Sequence, residues 1–323
     1  MRKLVRATDT TELIMRDTYC HTMMQMASED SRVVTLDADL VGPIGMTDFW
    51  QKYPERAINC GIQEANMAGV AAGMSARGMI PFIHSFAAFV SRKCLDQLFL
   101  VAGFAELNVK AVGSDPGILA LYNGASHMGL EDMGVLSNIP NITLLEPADP
   151  FSLQLLLRKV KDTYGLFYIR MNRKEAYPIY NSGSDLEIGK GVILRQGTDV
   201  TIIASGILIK ESLHAAELLQ QRGISARVVD MFTWKPIDSE LIIDCAKTTG
   251  AIITAENHNC STGLGSAVSR ILGETHPVPH LRIGIDNSFG EVGDKKYLLH
   301  RFKLTPDDIA SKVLSAIEMK KCS

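Results

Sequence analysis

Several things are scarce in this sequence, and each scarcity closes off an explanation. The six cysteines, Cys20, Cys60, Cys94, Cys245, Cys260 and Cys322, are scattered over 323 residues. They form no Cys-x-x-Cys pair and no Cys/His spacing suited to zinc, so neither a disulfide framework nor a metal finger is expected. Reduced structural thiols in a cytoplasmic protein are the expectation. There is no basic excess: 33 Lys and Arg stand against 36 Asp and Glu, for a net charge of −3. A phosphate backbone would find no field to follow, so nucleic acid is not an expected partner. No apolar run is long enough to span a bilayer, because Arg77 and Arg92 bound the longest one. The basic start (Arg2, Lys3, Arg6) meets Asp9 and Glu12 before an apolar core forms, unlike a signal peptide. A P-loop and a Gly-x-Ser-x-Gly elbow are absent, as is a Gly-Asp-Gly…Asn run of the kind that holds a magnesium diphosphate.

What is present is alternation. A helix is expected over residues 10–28, capped by Thr10 or Thr11. Strands follow at 32–39 and 57–60, and a helix rich in Ala, Gly and Met at 63–76. Then come a strand at 80–85, a helix at 90–105, a strand at 109–113, and a helix near 127–136. Strand, helix and strand at 142–145, 151–163 and 166–171 complete the first half. Residues 174–190, with Pro178, Asn181, Ser182, Gly183 and Ser184, read as a linker. A second alternation follows, with strands at 200–204, 226–230, 252–255 and 281–284. Its helices are expected at 208–222, 239–248, 266–272 and 306–319. The fold class is therefore α/β: two doubly wound, mostly parallel-sheet domains, residues 1–180 and a smaller 181–323. Gly263-Leu264-Gly265-Ser266-Ala267-Val268 lacks the third small residue of a dinucleotide fingerprint and reads as a tight turn at a helix start.

Three segments carry candidate chemistry. Glu64 sits in the first turn of a helix that is small and apolar nearly all round, so burial on most faces is expected. A carboxylate there either serves the helix dipole, at ~0.3–1 kcal/mol, or shares a proton with a bound base. Phe86 and Phe89 lie three apart at a strand–helix junction, and His127 ends the loop Tyr122-Asn123-Gly124-Ala125-Ser126-His127 at the mouth of a helix. Each has a plain structural reading: core packing for the rings, a solvated imidazole beside a capping Ser for His127. All three belong to the edge where parallel strands end and helices begin, which is where open α/β sheets bind ligands.

These residues also stand in a familiar order. Asp37-Ala38-Asp39, Gly61-Ile62-Gln63-Glu64, Ser85-Phe86-Ala87-Ala88-Phe89, Asp96-Gln97, Asn123-Gly124-Ala125-Ser126-His127 with Leu130-Glu131-Asp132, and Tyr168-Ile169-Arg170-Met171-Asn172-Arg173 resemble the pyrimidine-binding domain of transketolases. Glu256-Asn257-His258, Gly263-Leu264-Gly265, Phe289-Gly290-Glu291 and Gly293-Asp294 resemble that family's C-terminal domain. The resemblance covers essentially the whole chain and lacks the family's N-terminal domain, so it implies the C-terminal subunit of a two-chain transketolase.

The resemblance implies thiamine diphosphate as cofactor. Glu64 would bond the aminopyrimidine ring, Phe86 and Phe89 would flank it, and Asp39 would lie near the cofactor and the partner. Mg2+ would be held by an N-terminal partner subunit, in a heterotetramer of two of each chain, with no metal ligand on this chain. His127 would donate to the oxygen where charge develops. Arg16 and Arg173 would grip the terminal anion of a sugar-phosphate-like substrate. Two positions depart from the family pattern: Asp115 replaces a common His, and Asn123 a common Asp. Both belong to the substrate half of the site and put the usual pentulose phosphate in doubt. The implied activity is transfer of a two-carbon ketol unit to an aldose. A 2-oxoacid dehydrogenase β subunit and a non-catalytic partner subunit are the competing readings.

Overall fold

A computed structural model describes residues 13–181 and 183–322. The expected caps Thr10 and Thr11, the start of the chain with Arg2, Lys3, Arg6, Asp9 and Glu12, and Ser182 of the linker lie outside the described residues. The first helix runs Met15–Glu29, and Ile14 at its N-cap contributes no side-chain hydrogen bond.

The first sheet has seven strands in the order Thr233–Lys235, Thr143–Leu145, Phe167–Met171, Lys110–Ser114, Ile80–Phe86, Val33–Asp37, Ala57–Asn59. All neighbours are parallel except the first pair. The second sheet has five, in the order His280–Ile285, Ile252–Asn259, Val200–Ala204, Ala226–Asp230, Val192–Arg195, with only the last pair antiparallel. Central strands such as Phe167–Met171 and Val200–Ala204 are buried at every residue. That is the pattern of a parallel sheet covered by helices on both faces. The expected α/β class holds.

Three expectations need amending. The helix foreseen near 127–136 is shorter, Asp132–Leu136, so His127 sits in a turn ahead of it and not at its mouth. Gly124 and Gly129 break the helical run on either side of His127. The helix foreseen at 90–105 is instead Ala87–Lys93, Leu95–Gln97 and a wider π-helical turn at Leu98–Phe104. The helix Glu64–Ala76 buries Met67, Ala68, Ala71, Ala72 and Ser75, but Asn66, Gly69, Val70 and Gly73 are exposed. Its small side chains are apolar nearly all round, yet among the described residues no layer covers the second face.

The linker is docked rather than loose. Asp149 Oδ2 accepts the backbone N–H groups of Ile179 and Tyr180 at 2.7 and 2.8 Å, and the Tyr180 hydroxyl donates to Asp230 at 2.7 Å. The strand Thr233–Lys235, from beyond that linker, closes the edge of the first sheet. Each of the two hydrophobic clusters draws residues from both halves of the chain.

Candidate active site

The site is built on the carboxyl edge of the first sheet. The strand Ile80–Phe86 ends in Ser85 and Phe86, Lys110–Ser114 runs into Asp115, Phe167–Met171 into Arg173, and Val33–Asp37 into Asp39. Parallel pairing brings these four strand ends side by side.

Glu64 opens the helix Glu64–Ala76 and is only 2% exposed. Its Oε1 accepts from the Ser85 hydroxyl at 3.2 Å and its Oε2 from Lys93 Nζ at 3.0 Å. Its backbone carbonyl accepts the Cys94 thiol at 3.1 Å, and burial with the nearby carboxylate pushes that thiol up to about 12. Cys94 is thereby a packing residue and not a nucleophile. Lys93 bridges two features, because its ammonium also lies 4.2 Å from the centre of the Phe89 ring.

Phe86, Phe89 and His127 form one aromatic cluster. The two phenyl rings meet edge to face at 5.9 Å, and the imidazole packs against both, at 5.3 and 5.0 Å. The Ser126 hydroxyl lies 2.9 Å from His127 Nδ1, which leaves Nε2 as the nitrogen free to face a ligand. The loop that carries His127 is held from below. Arg170, wholly buried, pairs with Asp132 and Glu146, and its Nη2 donates to the carbonyls of Gly129 and Asn257 at 3.2 and 2.8 Å.

Arg173 reaches the same cluster from the next strand but one, with its guanidinium carbon 5.1 Å from the Phe86 ring centre. Its Nε donates to Asp115 Oδ2 at 2.9 Å, and its Nη2 bonds the same oxygen. Arg16 is brought alongside by the backbone: the N–H groups of Met15 and Arg16 donate to the carbonyls of Lys174 and Arg173, both at 3.1 Å. Asp39 sits one strand away, in a left-handed conformation (φ 64°), exchanging hydrogen bonds with Asn59 at 3.1 and 3.2 Å. Asn123 is exposed on the loop four residues ahead of His127. The chain thus gathers Glu64, Phe86, Phe89, His127, Arg173 and Asp115 at one edge, with the Arg16 backbone beside Arg173 and its Nη1 donating to Pro43 O at 3.4 Å, and with Asp39 and Asn123 at the margins.

Sequence reasoning missed two groups. One is Lys93 on Glu64, for which the four-residue spacing from Phe89 on a helix was the available signal. The other is a buried chain in which Asp37 Oδ2 lies 2.7 Å from His84 Nδ1 and His84 Nε2 lies 2.9 Å from the Ser114 hydroxyl. A His inside a continuous apolar strand was its only trace.

The donor set suits half of a thiamine cofactor. A buried carboxylate, a pair of rings and an imidazole at one edge fit an aminopyrimidine. For the diphosphate half, no group of three or more His, Cys, Asp or Glu able to hold a metal ion occurs among the described residues.

Comparison with known proteins matches two family descriptions in chain order: "Transketolase, pyrimidine binding domain" over residues 11–178 and "Transketolase, C-terminal domain" over residues 189–309. The chain is 45% identical over 306 residues, 95% of each chain, to the 6-deoxy-6-sulfo-D-fructose transketolase subunit SqwH of Clostridium sp. (strain MSTE9). It is 34% identical over 312 residues to the transketolase of Homo sapiens, where the match takes in 95% of this chain and 49% of the human one. A solved structure described as "Split gene transketolase, inactive beta4 tetramer" superposes with a TM-score of 0.88 at 36% identity, covering 96% of this chain and all of the other.

Proposed function

The chain belongs to the transketolase family, and we propose that it works as the pyrimidine-binding and C-terminal half of a thiamine-diphosphate-dependent transketolase completed by a separate N-terminal subunit. Both matched domains are those of transketolase, so the 2-oxoacid dehydrogenase reading gives way. The observation that carries the proposal is the Glu64 carboxylate, 2% exposed at a sheet edge that also presents Phe86, Phe89 and His127.

Bound thiamine diphosphate supplies a carbon nucleophile for a ketose carbonyl. This chain's part is to place and protonate. Glu64, anchored by Ser85 and Lys93, would hold the pyrimidine ring of the cofactor by a hydrogen bond to its ring nitrogen. Phe86 and Phe89 give that ring its apolar wall. His127 Nε2 donates to the substrate oxygen on which charge develops, while Ser126 fixes the orientation of its ring. Asn123 faces the sugar hydroxyls, and Asp39 the junction with the partner. Arg16 and Arg173 hold the anionic end of the substrate.

The 45% identical relative is named for 6-deoxy-6-sulfo-D-fructose. We extend that class to this chain: a ketose donor whose far end bears an anionic group, sulfonate or phosphate. The partner subunit supplies the diphosphate and Mg2+ ligands, in a cytoplasmic assembly of two chains of each kind. Among the described residues no helix is long and apolar enough to cross a membrane. The test is reconstitution. The chain mixed with its N-terminal subunit, thiamine diphosphate and Mg2+ is expected to transfer ketol units, and the chain alone is not. Robust transfer by the isolated chain would overturn the two-subunit reading.

A further inference from the structure

Resting on the transketolase reading above, we propose that Asp115 sets the charge of the substrate-tail site. By pairing with Arg173 it leaves a site matched to a singly charged, sulfonate-type tail and set against a phosphate dianion.

The pair is a built feature. Asp115 is 2% exposed, and its carboxylate accepts from the Arg173 backbone N–H as well as from Nε and Nη2. Its backbone is fixed on both sides, since Asp115 N–H donates to Met171 O at 3.1 Å while Asn257 clamps the following residues. Asn257 Nδ2 donates to Pro116 O at 3.0 Å, and its Oδ1 accepts from Ile118 N–H at 2.9 Å. Asp115 holds a left-handed conformation (φ 51°) that Asp tolerates better than most side chains. Its backbone is therefore held in place, and the carboxylate stays on Arg173.

The charge count follows. The backbone pairing of Arg16 N–H with Arg173 O sets two arginines at the junction, Arg16 with its Nη1 on Pro43 O at 3.4 Å, and the buried Asp115 cancels one of the two charges. Asp17 lies 3.8 Å from Arg16 Nε, and the exposed Lys174 adds a positive charge that offsets it in the sum. Among the described residues one net positive charge remains. Asp115 also occupies two of Arg173's five N–H donors, leaving Nη1 and the outer N–H of Nη2 for a ligand. A sulfonate carries one negative charge at any working pH. A phosphate monoester carries about −1.5 to −2 near pH 7, with its second pKa near 6, and its surplus charge faces the Asp115 carboxylate in a partly desolvated site.

The experiment uses the assembled enzyme with glycolaldehyde as an uncharged acceptor. Three donors are compared: a 6-sulfonated ketose, its 6-phosphate counterpart and tailless erythrulose. The sulfonated donor is expected to exceed the phosphate in kcat/KM by about tenfold or more at pH 8. The phosphate-to-sulfonate ratio should then rise severalfold toward pH 6, as the phosphate takes up its second proton near pKa ~6. Asp115→Asn should move that ratio toward the phosphate. The pH arm needs no variant, so poor folding of the substituted chain leaves the proposal exposed to refutation. Erythrulose turnover with no discrimination between the two tails, or a ratio indifferent to pH, overturns the role of Asp115 alone. Absence of erythrulose turnover overturns the transketolase reading and this inference with it.

Discussion

A Glu64→Gln substitution exchanges one carboxylate oxygen for an amide nitrogen and leaves the size of the side chain unchanged. The Ser85 contact survives it and the charge facing Lys93 does not. Ketol transfer should fall ~10²–10⁴-fold, the usual cost of losing a positioned acid–base group. Melting temperature and subunit assembly should change little. If activity stayed near the parent's, Glu64 would serve only the helix dipole. For Arg173→Ala the loss should fall on donors with an anionic tail, by about 2–5 kcal/mol in kcat/KM where the pair is desolvated. An equal loss with erythrulose would make Arg173 a scaffold residue. At this scale the sequence showed the residue types but not their pairings. Glu64, Phe86, Phe89 and His127 stand in recognisable short segments. Asp115 and Arg173 are 58 residues apart, and only the adjacency of two strand ends shows that one neutralises the other.

Among elements, the helix Glu64–Ala76 has two faces with different fates. Its inner face packs on the strand Ile80–Phe86, and its outer face carries Gly69, Val70 and Gly73 in the open. A Cβ added at Gly73 meets nothing within 4 Å. Gly73→Ala should therefore stabilise the isolated chain by about 0.5–1 kcal/mol, read as a rise in urea midpoint. A loss of stability would show that this face is already covered in solution. Most strands were legible because β-branched runs and their spacing identify a buried parallel sheet. Less legible were the elements set by long-range contact. The strand Thr233–Lys235 has no alternation of its own and exists because Thr143–Leu145 offers an open edge. The π-helical turn at Leu98–Phe104 likewise reads as ordinary helix from its periodicity.

For the whole molecule, buried ionisable groups fix how stability follows pH. Burial pushes the Asp230 and Glu256 carboxyls up to about 8, and pushes His258 and His280 down to about 4. A raised carboxyl favours the folded state fully below its unfolded value near 4 and loses that contribution as pH rises through 8. A depressed His contributes above its unfolded value near 6.5 and loses it as pH falls through 4. Asp230→Asn removes one such loss on the alkaline side, so its melting temperature should gain on the parent's progressively from pH 5 to pH 8.5. A constant offset between the two would show that Asp230 does not titrate in that range.

The strand that crosses from the second half into the first sheet also bears on how a gene for this chain can be divided. A cut between residues 181 and 190 falls where composition marks a seam. It would strand Thr143–Leu145 as a bare sheet edge on one fragment and leave the strand Thr233–Lys235 without its partner on the other. Fragments cut there should aggregate when made apart and recover only when synthesised in the same cell, where each can template the other.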